Sequence, residues 1–442
     1  MQEGGQQMPE RAQMFEGKRI AFVSTRIAGT DGVSLEIAKW ARVLEGLGIE
    51  CRYVAGECDR PAADSAVIEG AHFQHDEIAD IGVRAFRPGP RPPALTEDIE
   101  RWARRLRGHL REALGDLGAD AVIVENALTI PMHIPLGLAL VQVLQETRLG
   151  CIAHHHDFHW ERARFQSSCV EDYLRYAFPP ALGSIQHVTI NRVAAEEFAR
   201  RTGLHCRVVP NVMDFGHPPS PPDAYAQELR RALGIGEGDL LILQPTRVVA
   251  RKGIEHAVEL ARRLKDRGAR LVITHRAGDE GASYAHFLGL FSDLMGVDLV
   301  YATPWIAERR GTGADGRPLF TLEDAYMAAD LVTYPSENEG FGNAFLEAVY
   351  YRQPVVCKRY PIFRSDIEPC GFRVITFDDY LTQGTLEAVE GLFNRPGRRQ
   401  SMVEHNYQVA ERCFSYQVLE EELRPMLRRA FFFGGRDRGG SQ

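Results

Sequence analysis

Glu339 and Glu347 flank the stretch Glu339-Gly340-Phe341-Gly342-Asn343-Ala344-Phe345-Leu346-Glu347. Residues 329–335 read as a short buried strand and residues 344–351 as a helix, so the segment between them is a strand-to-helix crossover. Gly340 and Gly342 let the backbone come close to a ligand, and the first free amides of the helix, from Gly342 and Asn343 to Phe345, point at any phosphate placed there. Carboxylates do nothing for a phosphate, but they accept hydrogen bonds from hydroxyls. Two of them around an anion site suit a diphosphate flanked by a hexose and a ribose. The competing reading is a pair of solvated helix charges beside turn glycines.

A second crossover strengthens the first reading. Residues 240–244 form a buried-strand pattern that ends in Pro245-Thr246-Arg247-Val248-Val249-Ala250-Arg251-Lys252-Gly253, ahead of an amphipathic helix. Arg247 and Lys252 thus sit in its mouth. Breaking a glycosyl bond to a diphosphate leaves negative charge on the departing phosphate, which Arg247, Lys252 and the amides of Gly342 and Asn343 can stabilise. No Asp-x-Asp pair is placed to hold a divalent ion, so no essential metal or other cofactor is expected, and Asp378-Asp379 reads as a surface pair. A third stretch, Cys151-Ile152-Ala153-His154-His155-His156-Asp157-Phe158-His159-Trp160-Glu161-Arg162-Ala163-Arg164, starts as a strand and ends among charges and aromatics. On a strand His154 and His156 face one way and His155 the other, so the run cannot chelate as a unit. Trp160 can stack on a sugar, and Arg162 and Arg164 can grip a carboxylate or phosphate. Alternatively the arginines pair with Glu161 on an exposed helix.

These residues need two scaffolds. A chain of 442 residues, 44% of them hydrophobic, is too long for one core and predicts two domains of roughly 200 residues each. Strands at residues 19–24, 50–55, 119–125, 150–155, 188–191 and 206–209, separated by helices such as 34–47 and 96–117, predict a doubly wound parallel sheet. A second series at 240–244, 270–274, 298–301, 331–334 and 354–357 predicts another. The proline-rich connector from Gly216 to Pro222 separates them. The expected organisation is a disordered tail over 1–18, an acceptor-binding domain over 19–215, a nucleotide-sugar-binding domain over 216–400, helices over 401–433 and a tail over 434–442. Parallel sheets bind ligands beyond the carboxyl ends of their strands, so a central cleft between two facing domains is expected.

The net charge of -8 gives no general attraction to nucleic acid or anionic lipid. Eight cysteines without Cys-x-x-Cys pairs point to reduced thiols in the cytoplasm rather than disulfides or structural zinc. The polar N-terminus carries no signal-peptide pattern, and no apolar stretch approaches the roughly 20 residues of a membrane span. A homo-oligomer is left open.

Four separated features resemble the retaining glycosyltransferases of family 4, which have the GT-B fold of two Rossmann-like domains. They are the block from Glu339 to Glu347, Arg247 and Lys252 in "TRVVARKG", the turn "VVPNVMDF" at 208–215, and "CFSYQVLEEEL" from Cys413. The resemblance implies that Glu339 binds the donor hexose, that Glu347 binds the ribose, and that the final helices cross back to the first domain. It also implies that His156 lies at the reaction centre, that Gly29 and Gly32 close over the donor, and that the configuration is retained. Asn126, His154, Asp157, Trp160, Arg162 and Arg164 form the expected acceptor set. Where the family shows a tight Gly-Gly pair this chain has Gly29-Thr30-Asp31-Gly32. The stretch "HHHDFHWER" is similar to that of bacterial members that make compatible solutes. The expected activity is hexose transfer from a UDP- or GDP-hexose to a small polar acceptor, preferably an anionic one such as a glycerate glycoside or a sugar phosphate. The alternatives are a nucleotide-sugar epimerase and a catalytically silent sugar-nucleotide-binding subunit.

Overall fold

Seven parallel strands build the first sheet: β1 (Arg19–Val23), β2 (Glu50–Ala55), β3 (Ser65–Val67), β4 (Ala121–Glu125), β5 (Gly150–His155), β6 (Ile185–Thr189) and β7 (Cys206–Val208). They pair in the order β3-β2-β1-β4-β5-β6-β7 in this computed structural model, which describes residues 13–277 and 282–434. Every residue of β4 and β5 is buried, as expected of strands covered on both faces by helices. Leu106 and Leu110 of the helix Pro93–Asp116 and Leu140, Val143 and Leu144 of the helix Ile134–Thr147 join the strands in one apolar cluster.

The second sheet follows the same logic. Strands β8 (Leu241–Gln244), β9 (Arg270–Ile273), β10 (Leu299–Tyr301), β13 (Leu331–Tyr334), β14 (Val355–Lys358) and β15 (Ile375–Phe377) pair in the order β10-β9-β8-β13-β14-β15. A small antiparallel pair, β11 (Gly311–Thr312) and β12 (Pro318–Leu319), lies apart from it. The doubly wound architecture expected from the strand pattern is therefore present twice. β3 and β15, three residues each, are too short to announce themselves by periodicity, and β6 begins three residues before the expected 188.

The chain divides into a unit that ends at Asn211 and resumes at Tyr416, and a unit of Val212–Ser415. The expected boundary after 215 falls earlier because Phe215 packs edge-on against Tyr350 and Tyr407, and its carbonyl accepts the Tyr407 hydroxyl at 2.8 Å. The return expected at 401 comes at Tyr416. The helix Pro396–Phe414 stays with the second unit, where Phe414 meets Phe341 and Phe372. The final helix, Tyr416–Gly434, packs on β4, β5 and the helix Gly32–Gly46. Residues 1–12 and 435–442 of the expected tails lie outside the described residues. Gln13–Phe15 instead form a turn, and buried Phe15 packs on Phe431 at 5.8 Å.

No helix among the described residues is long and apolar enough to cross a membrane, and all eight cysteines are free thiols. A Cβ on Gly150 would collide with the backbone of Ala430, so only glycine lets the last helix lie on β5. Gly150→Ala is expected to cost about 1–3 kcal/mol through overpacking and to expose the C-terminal helix to protease. An unchanged urea midpoint and digestion pattern would contradict this packing.

Candidate active site

In an open parallel sheet the ligand site lies beyond the carboxyl ends of the strands, where the strand order reverses. That point falls between β8 and β13 in the second unit and between β1 and β4 in the first. The predicted residues lie on the loops that leave these strands, on the helices those loops open, or on the end of β5 and the segment that follows it.

In the second unit the loop after β8 and the loop after β13 touch directly. Gly253 has φ +57, and a Cβ there would strike the carbonyl oxygen of Pro335. The Glu337 amide donates to the Arg251 carbonyl at 2.9 Å. This approach brings Lys252 Nζ onto Glu339 Oε1, with Arg251 3.6 Å from the other oxygen. Burial pulls the Lys252 ammonium below its ordinary pKa and the Arg251 and Arg247 charges add to that, while Glu339 pulls it back up. Arg247 itself is exposed and makes no ion pair among the described residues.

The β13 loop runs through Gly340 and Phe341 into the helix Asn343–Tyr350. Gly342, at φ +137, leaves no room for a Cβ because the Tyr360 hydroxyl sits there and donates to the Phe341 carbonyl at 2.7 Å. Glu347 lies one turn into the helix and accepts the hydroxyl of buried Tyr326 at 2.8 Å. The sequence offered no signal for Tyr326. Arg247, Lys252, Glu339, Gly340, Phe341, Gly342, Asn343 and Glu347 therefore converge at one switch point.

The first unit gathers only part of its expected set. Asn126, in the left-handed region at φ 59 that asparagine tolerates, ties the end of β4 to the segment after β5. Its Oδ1 accepts the His156 amide at 2.9 Å and its Nδ2 donates to Asp157 at 3.2 Å. Asp157 in turn holds Arg162, whose Nε lies 2.6 Å away. His156 donates from Nε2 to Glu125 at 3.0 Å. Along the chain Glu125 is only the last residue of a buried strand, and its place in line with His154 follows from the pairing of β4 with β5.

Three expectations change here. His154 is fully buried, bonded through Nδ1 to Glu125 and stacked on Trp40 at 4.2 Å, so it backs the site rather than lining it. Trp160 offers no free face, because Phe158 stacks on it at 4.5 Å and Arg201 lies 5.3 Å from its ring. Arg164 is exposed and lies over Phe165. The N-terminal loop also spends its polar groups internally. The Gly29 amide donates to Asp59 at 2.8 Å, and Asp31 caps the helix that Gly32 opens by accepting from Val33 and Ser34.

The three ligating atoms of Glu125, His154 and His156 lie within 4.8 Å of one another and are the group of this kind found among the described residues. Burial, the largest influence on Glu125, raises its pKa, but the charges and bonds of the two histidines outweigh it and bring the carboxyl down to about 2. Burial also lowers His156, yet the bond and charge of Glu125, with Glu36 and Asp157, leave it above the ordinary imidazole value.

Two parallel-sheet units with switch-point loops of this kind form the GT-B fold, and full-length relatives place the chain among its glycosyltransferases. Its structure is similar to that of sucrose-phosphate synthase from Thermosynechococcus elongatus, with a TM-score of 0.63 and 14% identity over 94% of this chain and 99% of that one. Anabaena HepE in complex with UDP-glucose matches with a TM-score of 0.58 and 12% identity over 93% and 99%. No family model matches. Mannosylglucosylglycerate synthase of Thermotoga maritima is 31% identical over 92% of this chain and 98% of its own length. The enzyme of the same name from Petrotoga mobilis is 29% identical over 81% and 86%. The chain belongs to the mannosylglucosylglycerate synthase family.

Behind this site a chain of neutral imidazoles fixes the loops. His187 Nε2 donates to the Pro180 carbonyl at 3.0 Å, which leaves its Nδ1 to accept from His155 Nε2 at 2.9 Å. His155 Nδ1 must then accept the Thr129 hydroxyl at 2.9 Å. Burial depresses His155 well below the usual value, and His187 and the separate His133 to about 4. The unfolded chain therefore takes up protons that the folded one refuses, and stability is lost as pH falls from 6.5 toward 4. The loss is up to about 3 kcal/mol each for His133 and His187. His156, raised, works in the opposite sense, and Glu125 adds a further loss only below its unfolded value of 4.5. The denaturant midpoint is expected to fall between pH 7 and pH 4.5, less steeply in His187→Gln; a flat profile would contradict the neutral chain.

Proposed function

We propose that the protein transfers a hexose, with retention, from a nucleoside-diphosphate hexose to a small anionic acceptor. The reading takes the donor hexose as mannose and the acceptor as glucosylglycerate. It rests on the convergence of Lys252, Glu339, Arg247 and the opening of the helix Asn343–Tyr350 at the carboxyl ends of β8 and β13. Whole-length relatives with a name that joins a mannosyl unit, a glucosyl unit and glycerate support the substrate class. The UDP-glucose complex of a protein with the same fold supports a sugar nucleotide as donor, with GDP the other candidate base carrier.

In this mechanism Arg247, Lys252 and the amides of Gly342 and Asn343 take the charge that develops on the departing diphosphate. They supply the positive field that a metal ion gives elsewhere. Glu339 exchanges its bond to Lys252 for hydroxyls of the hexose, and Glu347, steadied by Tyr326, accepts the ribose hydroxyls. The first unit contributes His156 at the reacting sugar and Asn126, Asp157 and Arg162 toward the acceptor. Arg162 grips the glycerate carboxylate while Asp157 fixes its direction. The leaving phosphate takes the acceptor proton on the same face, which preserves the anomeric configuration. The reaction is assigned to the cytoplasm, where eight free thiols stay reduced.

Turnover of GDP-mannose or UDP-glucose with glucosylglycerate tests the reading. Lys252→Ala and Arg247→Ala are each expected to lower kcat roughly 100-fold to 1000-fold, the usual cost of losing one such donor. Tyr326→Phe is expected to raise the donor KM about fivefold with kcat unchanged, the loss of one hydrogen bond of about 1 kcal/mol. Full activity in the two cation variants would overturn the assignment. Activity in a chelator is expected to persist.

A further inference from the structure

The most deeply buried charge cluster of the first unit lies behind His156. Glu125, Glu36 and His154 are each 0% exposed. Parallel pairing sets Glu125 beside His154, and strand alternation returns His156 to the same face. Both imidazoles then turn onto one carboxylate. His154 Nδ1 lies 3.0 Å and His156 Nε2 3.0 Å from Glu125 Oε2, and His154 Nδ1 is also 3.2 Å from Oε1. Trp40 stacks on His154 at 4.2 Å, and Glu36, one turn earlier on the same helix, holds Lys39 at 3.0 Å.

Such a cluster is a poor way to stabilise a core. A buried carboxylate carries a desolvation penalty of several kcal/mol that its partners only offset, and an apolar core would avoid it. What distinguishes this one is the atom it presents. His156 alone of the three reaches the surface, its side chain 12% exposed, and its amide is pinned to Asn126 at 2.9 Å. A carboxylate only accepts, so Nε2 of His156 must carry hydrogen. Its Nδ1 makes no hydrogen bond among the described residues, where His156 bonds only through its amide and Nε2.

We infer that Glu125 is a positioning residue: by accepting Nε2–H it fixes the His156 ring and leaves Nδ1 as the imidazole atom offered to the sugar being transferred. His154, wedged between Trp40 and the carboxylate, holds Glu125 in place from behind. This deepens the function proposed above and rests on the assignment of His156 to the reaction centre. The competing use of the same atoms is a divalent metal centre, since two imidazoles and a carboxylate are a common ligand set. Direct N···O distances of 3.0 Å put protons between these atoms, and a metal would have to displace both.

The test begins on the resting enzyme, so its result does not depend on which donor and acceptor are right. Imidazole nitrogen NMR of the full chain labelled in histidine, with His156 assigned through His156→Gln, is expected to show a single proton fixed on Nε2 once the pH is above the His156 titration. In Glu125→Gln that preference should be lost, and in a transfer assay kcat should drop about 10-fold to 100-fold with the donor KM within about threefold. His154→Phe, which keeps the stack on Trp40, should cost less and retain the Nε2 proton. A proton on Nδ1 of the neutral wild-type His156 ring overturns the inference even if Glu125→Gln fails to fold. So does an unaltered kcat in folded Glu125→Gln. Stoichiometric metal in the purified enzyme, or loss of the Nε2 proton signal on adding zinc alone, overturns it in favour of a metal centre.

Discussion

Charge that is withdrawn from water at the end of a parallel strand must be matched by the protein until a substrate matches it, and this requirement organises both halves of the molecule. Lys252 and Glu339 neutralise one another in the second unit, and Glu125 gathers His154 and His156 in the first. The first pairing spends interaction energy that a ligand can replace, whereas the second stays in place behind His156. For Lys252 and Glu339 the replacement is chemically natural, because a diphosphate is the partner a buried ammonium lacks and sugar hydroxyls are the partners a carboxylate lacks.

The scaffold makes these pairings possible by bringing loops closer than side chains normally allow. Gly253 lets the β8 loop touch the β13 loop, and Gly342 leaves room for Tyr360 beneath the helix start. Gly253 touches no substrate in this account, and Gly342 offers the diphosphate only its amide. They set the distance between cation and carboxylate, and with it the strength of the field at the leaving group. The first unit solves the same problem with a left-handed asparagine, where Asn126 bonds both the His156 amide and Asp157.

Much of this was legible in the sequence wherever residue type and local spacing carry the information. Strands β2, β5 and β13 fall where the apolar runs place them, and Arg247, Lys252, Glu339 and Glu347 come together because each lies one short loop beyond a strand. Spacing along the chain says nothing about partners that arrive from elsewhere. Tyr326 reaches Glu347 from a preceding helix, and Glu125 meets the histidines only because β4 and β5 pair in register. The same limit explains Trp160 and His154. Their types suit sugar binding, but Phe158 and Arg201 occupy the faces of one and Trp40 covers the other. Short edge strands such as β3 and β15 carry too few residues for a period, and the late return of the chain at Tyr416 depends on Phe414 finding Phe341 and Phe372.

The central claim is that the Lys252–Glu339 pair holds the place of a nucleoside-diphosphate sugar. A crystal structure with a bound nucleoside-diphosphate hexose tests it most directly. The account expects the diphosphate within hydrogen-bond reach of Arg247, Lys252 and the amides at Gly342 and Asn343, with the ribose on Glu347 and Glu339 turned from Lys252 to the hexose. A diphosphate bound away from the β8 and β13 loops, with the Lys252–Glu339 bond intact, would contradict it.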